Sequence, residues 1–255
     1  MNIIAILGSP KGKGNGYKAV QKLEKYLKLE GKVNFKYIFL KDIKLKNCMG
    51  CFQCVAKGID RCPIKDNREL IEKEIEAADG IILNSPGYVS NVSALMKNLI
   101  DRLAYLNHRP KYFDKKLLLL ANGGSGLDKT IEAMTHTLGG GPKVIEKVEY
   151  LSPPWELKEE VVYNRSRKLK ETANKFFYSI KEQERPVPNL SKYIRFRFFK
   201  EVSTKVKKYL PADYDYYKNK EEYFYKTKIS IYKKIMAWFA LKIGFFMMKD
   251  MEAKE

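Results

Sequence analysis

All four cysteines of this 255-residue chain lie between Cys48 and Cys62, as Cys48-Met-Gly-Cys51-Phe-Gln-Cys54 and then, after seven residues, Cys62-Pro63. Three thiols at two-residue gaps can converge on one centre from a tight loop, with the fourth arriving from the far side. Zinc accepts such a set, as do softer metal centres; redox-active thiols without a metal are the other reading. A secreted disulfide framework is not, because four cysteines this local cannot staple so long a chain. The second group able to do chemistry is Gly8-Ser9-Pro10-Lys11-Gly12-Lys13-Gly14-Asn15-Gly16. Its glycines let the backbone turn and come close to an anion, successive amides can form a nest, and a helix behind it adds partial positive charge. Ser9 and Asn15 can hydrogen-bond phosphate oxygens, while Lys11 and Lys13 supply charge. No Gly-Lys-Ser/Thr closes this loop, and the dinucleotide pattern Gly-x-Gly-x-x-Gly is not at its expected place.

Such loops need elements that bring them to one rim. The first 150 residues alternate short apolar runs with helix-period segments, the pattern of a parallel sheet covered on both faces. Five runs are expected as strands: Asn2 to Leu7, Val33 to Leu40, Gly80 to Asn84, Lys116 to Ala121 and Lys143 to Tyr150. Helices are expected at about Gly16 to Leu29, Asn67 to Ala78, Ser93 to Leu106 and Leu127 to Leu138, each with apolar residues recurring at three and four. The result is a doubly wound α/β domain with a five-stranded parallel sheet. Ligands in such sheets sit beyond the carboxyl ends of the strands, which singles out the loops after the first, third and fourth strands. Beyond Pro153-Pro154 a long helix is expected from about Trp155 to Gln183, then Arg185-Pro-Val-Pro-Asn189 and a tail without strand alternation. The expected domains are therefore 1–184, with the cysteine loop 48–62 inserted, and 185–255 as a basic, aromatic, helical C-terminal appendage.

The third strand runs into Asn84-Ser85-Pro86-Gly87-Tyr88-Val89-Ser90-Asn91-Val92-Ser93-Ala94, followed by Met96-Lys97-Asn98-Leu99-Ile100-Asp101-Arg102. With the first loop, this resembles the flavodoxin-like NAD(P)H-dependent FMN reductases. Their motifs read roughly Gly-Ser-Pro-Arg-x-x-Gly-Asn-Thr and Ser-Pro-x-Tyr-x-x-x-x-Ser-x-x-x-Lys-x-x-x-Asp-Arg. The resemblance covers residues 1 to about 150 and implies a flavodoxin-like fold. It implies that Ser9, Lys11, Asn15 and Gly16, with Lys13 beside them, hold the FMN phosphate. Ser85, Pro86, Gly87, Tyr88, Asn91 and Ser93 would line the isoalloxazine and ribityl chain. In this chain Lys11 replaces an arginine, Gly16 a hydroxyl residue and Asn84 a glycine, which implies one phosphate donor fewer. A flavin also needs a surface its flat ring can approach closely, and Asn122-Gly123-Gly124 after the fourth strand offers small residues for it. Within that family the cysteines resemble those of the iron–sulfur flavoproteins, which implies a [4Fe-4S] cluster on Cys48, Cys51, Cys54 and Cys62. The implied reaction is hydride transfer from NAD(P)H to FMN and onward delivery of electrons to an acceptor the sequence does not identify. The alternative is an electron carrier reduced by a partner protein and never by a nicotinamide. The resemblance also implies a homo-oligomer.

Lys+Arg 49 against Asp+Glu 30 gives a net charge of +19, which favours polyanions and anionic head groups in general. Nucleic acid is not expected as a partner, since no zinc-finger, helix-turn-helix or RNA-recognition pattern accompanies the charge. Ile229 to Met248 sets Met236-Ala-Trp-Phe-Ala-Leu-Lys242-Ile-Gly-Phe-Phe-Met-Met248 between lysines. This segment is expected to dock on protein, with peripheral membrane contact as its alternative. Met1 to Leu7 carries no basic n-region and runs straight into the glycine-rich loop, and no run reaches the ~20 apolar residues of a spanning helix, so a cytoplasmic location is expected. His108 and His136 have no metal-spaced partners and are read as structural, and Asp101-Arg102 as a helix-end ion pair.

Overall fold

Asn2–Leu7 (β1), Asn34–Phe39 (β2), Gly80–Pro86 (β3), Lys116–Gly123 (β4) and Lys143–Leu151 (β5) form one sheet in the order β2-β1-β3-β4-β5. Every pairing is parallel. The computed structural model describes residues 1–182 and 184–249. Gln183, the expected end of the long helix, and residues 250–255 of the expected appendage lie outside the described residues. The helices of this part are Asn15–Glu30 (α1), then, beyond the short helix Gln53–Ala56 (α2), Arg68–Ala77 (α3), Ala94–Arg102 (α4), Leu127–Met134 (α5) and Glu159–Lys181 (α6).

The central strands are continuous apolar runs because both faces are covered. Side chains alternate along a strand, so Ile3, Ala5 and Leu7 of β1, Ile82 of β3, and Leu118 and Leu120 of β4 share one face. On it they pack against Leu23 and Leu27 of α1 and Leu169, Phe176 and Phe177 of α6. Continuing that alternation to the carboxyl rim puts Asn84 and Asn122 on the same face, one rung beyond Ile82 and Leu120. β3 and β4 run two residues past their expected ends. Ser85 and Pro86 pair with Ala121 and Asn122 as the last rungs, so the rim residues belong to strands and are fixed in register.

α4 and α5 end earlier than expected. α4 stops at Arg102 and continues as a tight turn over Ala104–Asn107. α5 stops at Met134, where the Thr135 and Thr137 hydroxyls donate back to the carbonyls of Glu132 and Met134 at 2.6 and 2.8 Å. Hydroxyls that compete for backbone groups in this way favour turns over helix. α6 begins at Glu159, four residues late, beyond a bend at Pro154 and Trp155.

The chain divides into two compact units: Met1–Gly50 with Ile64–Glu184, and Cys51–Pro63 with the described part of Arg185–Glu255. The second contains α2, Leu190–Lys205 (α7), Pro211–Tyr217 (α8) and Ile231–Met247 (α9). Its core is aromatic: Phe196 is fully buried, with ring centroids of Phe224, Tyr223 and Tyr217 at 4.9, 5.4 and 6.0 Å. Asn189 and Ser230 cap α7 and α9, accepting from the amides of Lys192 and Lys233, and Pro211 occupies the first turn of α8, where no amide donor is needed. Among the described residues no helix is long and apolar enough to cross a membrane.

Candidate functional site

Three turns meet at the carboxyl rim of the sheet and are tied to one another. From the first, Gly8 N–H donates to Asn84 O at 2.8 Å, and Gly8 O accepts from the Ser93 hydroxyl at 2.5 Å. From the second, Gly87 N–H donates to Asn122 O at 2.9 Å. From the third, the Thr130 hydroxyl just inside α5 donates to Asn91 O at 3.2 Å. The loops after β1, β3 and β4 therefore form one surface.

In the first loop Ser9 is buried and its carbonyl accepts from Gly12 N–H at 3.1 Å. Gly12 sits at φ +65°, a left-handed conformation that glycine adopts without a Cβ penalty. Lys11, Lys13 and Asn15 are exposed. α1 starts at Asn15 without a side-chain cap, so its first amides keep the donor character that suits an anion. Gly16 is buried, and a Cβ there would lie 2.3 Å from Asn84 Oδ1 and 2.4 Å from Asn122 Oδ1. Asn84 Nδ2 donates to Leu120 O at 3.0 Å and to Asn122 Oδ1 at 3.1 Å. Its Oδ1 is buried with no partner. An unpaired buried amide oxygen costs on the order of 1–3 kcal/mol, and here it lies under the first turn of α1.

In the second loop Ser85 and Ser93 are buried, and both hydroxyls work inside the protein. The Ser85 hydroxyl accepts from Ser93 N–H at 3.0 Å, and Ser93 caps α4 by accepting from Met96 N–H at 3.2 Å. Pro86 is buried, Gly87 half-buried, and Tyr88 and Asn91 are exposed. Tyr88 and Asn91 exchange backbone hydrogen bonds at 2.9 and 3.0 Å, closing a turn whose central residues, Val89 and Ser90, have φ of +51° and +55°. A β-branched residue there is strained, and such strain collects at ligand clamps. In the third loop Asn122 is buried, Gly123 half-buried and Gly124 exposed; a Cβ on Gly124 would meet nothing within 4 Å. Gly126 is needed for another reason, since a Cβ on it would lie 2.4 Å from Ser90 Oγ.

The stem of the cysteine loop is held by α4. Cys48 N–H donates to Asn98 Oδ1 at 3.2 Å, and Asn98 Nδ2 donates to Lys46 O at 3.3 Å. Arg102 pairs with Asp66 at 2.8 Å, both side chains 2% exposed, while Asp101 pairs with Lys97 in solvent. The sequence reading of Asp101-Arg102 as a pair is thus corrected: adjacent helix positions point apart, and Asp66 lies where Arg102 points. Asp66 also accepts from the amides of Lys46 and Arg68. Burial pushes its carboxyl up, but the Arg102 guanidinium and these two amides hold it below the usual carboxylate range. Cys48 and Cys51 are exposed, Cys54 is half-buried and Cys62 buried. Among the described residues no three or more His, Cys, Asp or Glu side chains come together as a set that could hold a metal.

Asp66 and Asn98 escaped the reading of the sequence as site residues, and only their positions beside the Cys48 motif could have suggested them. Residues 1–153 match the NADPH-dependent FMN reductase family. An iron–sulfur flavoprotein of Archaeoglobus fulgidus is 36% identical over 110 residues, 43% of this chain and 49% of that protein. One of Methanocaldococcus jannaschii is 41% identical over 102 residues, 40% of this chain and 51% of that protein. The chain thus spans about half the length of either curated relative. Among solved structures, RosB with bound 8-demethyl-8-formylriboflavin-5′-phosphate superposes with a TM-score of 0.59 at 10% identity, covering 91% of this chain and 92% of that one. That likeness concerns the fold.

Proposed function

The chain belongs to the NADPH-dependent FMN reductase family, and we propose that it is an FMN-dependent oxidoreductase that takes electrons from a reduced nicotinamide nucleotide. The observation carrying this reading is the cross-linked rim of three turns beside an uncapped helix start. The residues there fit a flavin monophosphate: amides of the α1 start with Ser9 and Asn15 for the phosphate, Lys11 and Lys13 for its charge, and open backbone at Gly124 for a flat ring. Pro86, Gly87 and Tyr88 would form the wall beside that ring, with Asn91, Asn122 and Gly123 at its polar edge. Ser85, Ser93 and Gly16 would act by fixing the turns. When bound, FMN supplies hydride acceptance and onward electron delivery. The protein's share is to orient the cofactor, exclude water and offer amides to its polar edge.

The cluster is the finer part of the proposal. Its support is the Cys48, Cys51, Cys54 and Cys62 spacing and the names of the two relatives. The thiols as folded do not form a ligand set, and no electron step here depends on one. Iron and sulfide analysis of protein prepared without air tests it, with zinc or no metal as the contrary result. α9 exposes Trp238, Phe239, Ile243, Phe246 and Met247 beside Lys242 and Lys249, which supports contact with an anionic membrane surface. A second copy of the chain on that face, within a homo-oligomer, is the competing occupant.

The test of the main reading is to load the protein with FMN, remove oxygen and add NADH or NADPH. Bleaching of the flavin band with either nucleotide is expected. A loaded flavin that neither nucleotide reduces would make the chain an electron carrier, and failure to retain FMN would remove both readings.

A further inference from the structure

We propose that a cleft beside the start of α1 takes the 5′-adenylate half of an adenine dinucleotide, next to the flavin phosphate and apart from the flavin ring. The inference rests on the flavin reading of the rim. The cleft has a volume of about 300 Å³ and lies between α1 and the segment joining β5 to α6. That is at the small end of ligand pockets, suited to a mononucleotide rather than a whole dinucleotide. Asn15 lines both this cleft and the phosphate loop, so occupants of the two would be neighbours.

Its chemistry is that of an aromatic anion. Lys18, Lys22 and Arg165 supply three positive charges against the single carboxylate of Glu156. Arg165 is fixed in place: one terminal nitrogen donates to Leu151 O at 2.5 Å, and its guanidinium carbon lies 4.3 Å from the centroid of the Tyr150 ring. A planar guanidinium held this way is preorganised for phosphate. Arg165 Nε and the Ser152 hydroxyl, in two residues that line the cleft, are buried without a partner. Trp155 lines the cleft with 70% of its surface exposed. An exposed indole beside a cluster of cations offers a face on which a purine can stack, and Glu156 can accept from ribose hydroxyls or an exocyclic amine. Neither a bare phosphate nor an uncharged base would use both halves of the cleft. The adenylate could come from FAD held in place of FMN, or from the reduced nicotinamide dinucleotide.

The test is calorimetric titration of the full-length, FMN-loaded protein with AMP, adenosine and inorganic phosphate. AMP is expected to bind at least about tenfold more tightly than either fragment, a charge-assisted contact being worth roughly that much. Trp155→Ala and, separately, Lys22→Ala should each weaken AMP several-fold while FMN content, read by absorbance, stays unchanged. If FAD is the source, the flavin-free protein binds FAD more tightly than FMN, and Trp155→Ala removes that margin. If the nicotinamide is the source, AMP competes with NADH or NADPH while FMN and FAD bind alike. No heat with AMP, AMP binding indifferent to both substitutions, or AMP binding with neither FAD preference nor nucleotide competition overturns the proposal. Wild-type protein that retains no FMN overturns the flavin reading instead.

Discussion

Gly16 and Asn84 share one volume. Both depart from the motifs that the first and second loops otherwise follow, and the structure shows how the departures fit: the Asn84 amide, with that of Asn122, fills the space a side chain at position 16 would occupy. Forcing a methyl group to 2.3 Å from that amide is overpacking, which costs about 1–3 kcal/mol. Gly16→Ala is expected to lower stability by that order in denaturant unfolding, whereas Asn84→Gly together with Gly16→Ala should recover only part of the loss, since Asn122 Oδ1 would still lie 2.4 Å from the new methyl group. Contacting residues couple in such cycles while distant ones add; strictly additive effects would mean the two positions do not compete for space. Gly16 can be recognised in the sequence as part of a glycine loop. Its dependence on Asn84 and Asn122 cannot, because those residues are 68 and 106 positions away.

At the level of elements, α4 ties the glycine-rich first loop to the stem of the cysteine loop. Its N-cap Ser93 holds Gly8, while Asn98 and Arg102 hold the segment leading to Cys48 and the segment after Cys62. Removing one partner of a buried ion pair leaves the other charge uncompensated, at about 3–5 kcal/mol. Asp66→Asn is therefore expected to destabilise the protein by that order at neutral pH. The folded Asp66 carboxyl lies below its ordinary value, so its contribution is complete above the unfolded value of about 3.9 and is lost as pH falls through the lower folded value. The gap between wild type and variant in urea unfolding should accordingly narrow as pH falls below about 3.9; a gap that does not narrow at all on acidification would show that packing, and not charge, carries the effect. The turn between Tyr88 and Asn91 yields a prediction of opposite sign. Val89 is fully exposed at positive φ, and relieving that backbone costs no buried contact. Val89→Gly should raise stability by about 0.5–1 kcal/mol, the left-handed penalty less the greater chain entropy of glycine. A fall in the unfolding midpoint would contradict this account of the strain.

Across the whole molecule a net charge of +19 accompanies the exposed apolar side chains of α9. Trp238, Phe239 and Phe246 are 47–74% exposed, and Lys242 lies 4.0 Å from the Trp238 ring centroid, an aromatic and basic combination suited to an anionic interface. Full-length protein is expected to co-sediment with vesicles containing phosphatidylserine, less so at high salt because the attraction is screened beyond about 10 Å at 0.1 M. Replacing Trp238, Phe239 and Phe246 by Ser should abolish it. If the substitutions instead change the sedimentation coefficient and leave vesicle binding alone, a second copy of the chain covers the face.

The sheet, its helices and the three loops at its rim were legible along the chain, because alternation, helical period and glycine spacing are local patterns that chain chemistry imposes wherever they occur. Ser85, Pro86, Asn122 and Gly123 were legible as loop residues but not as the last rungs of β3 and β4, since strand length is set by the neighbouring strand. Tertiary structure alone decided that Arg102 turns to Asp66 and not to its neighbour Asp101, that Asn98 grips Cys48, that Asn84 lies under Gly16, and that Arg165 stands over Tyr150 beside Trp155. Each of these depends on the register and packing of segments far apart in the chain, and neither residue type nor spacing encodes which distant partner a side chain will meet.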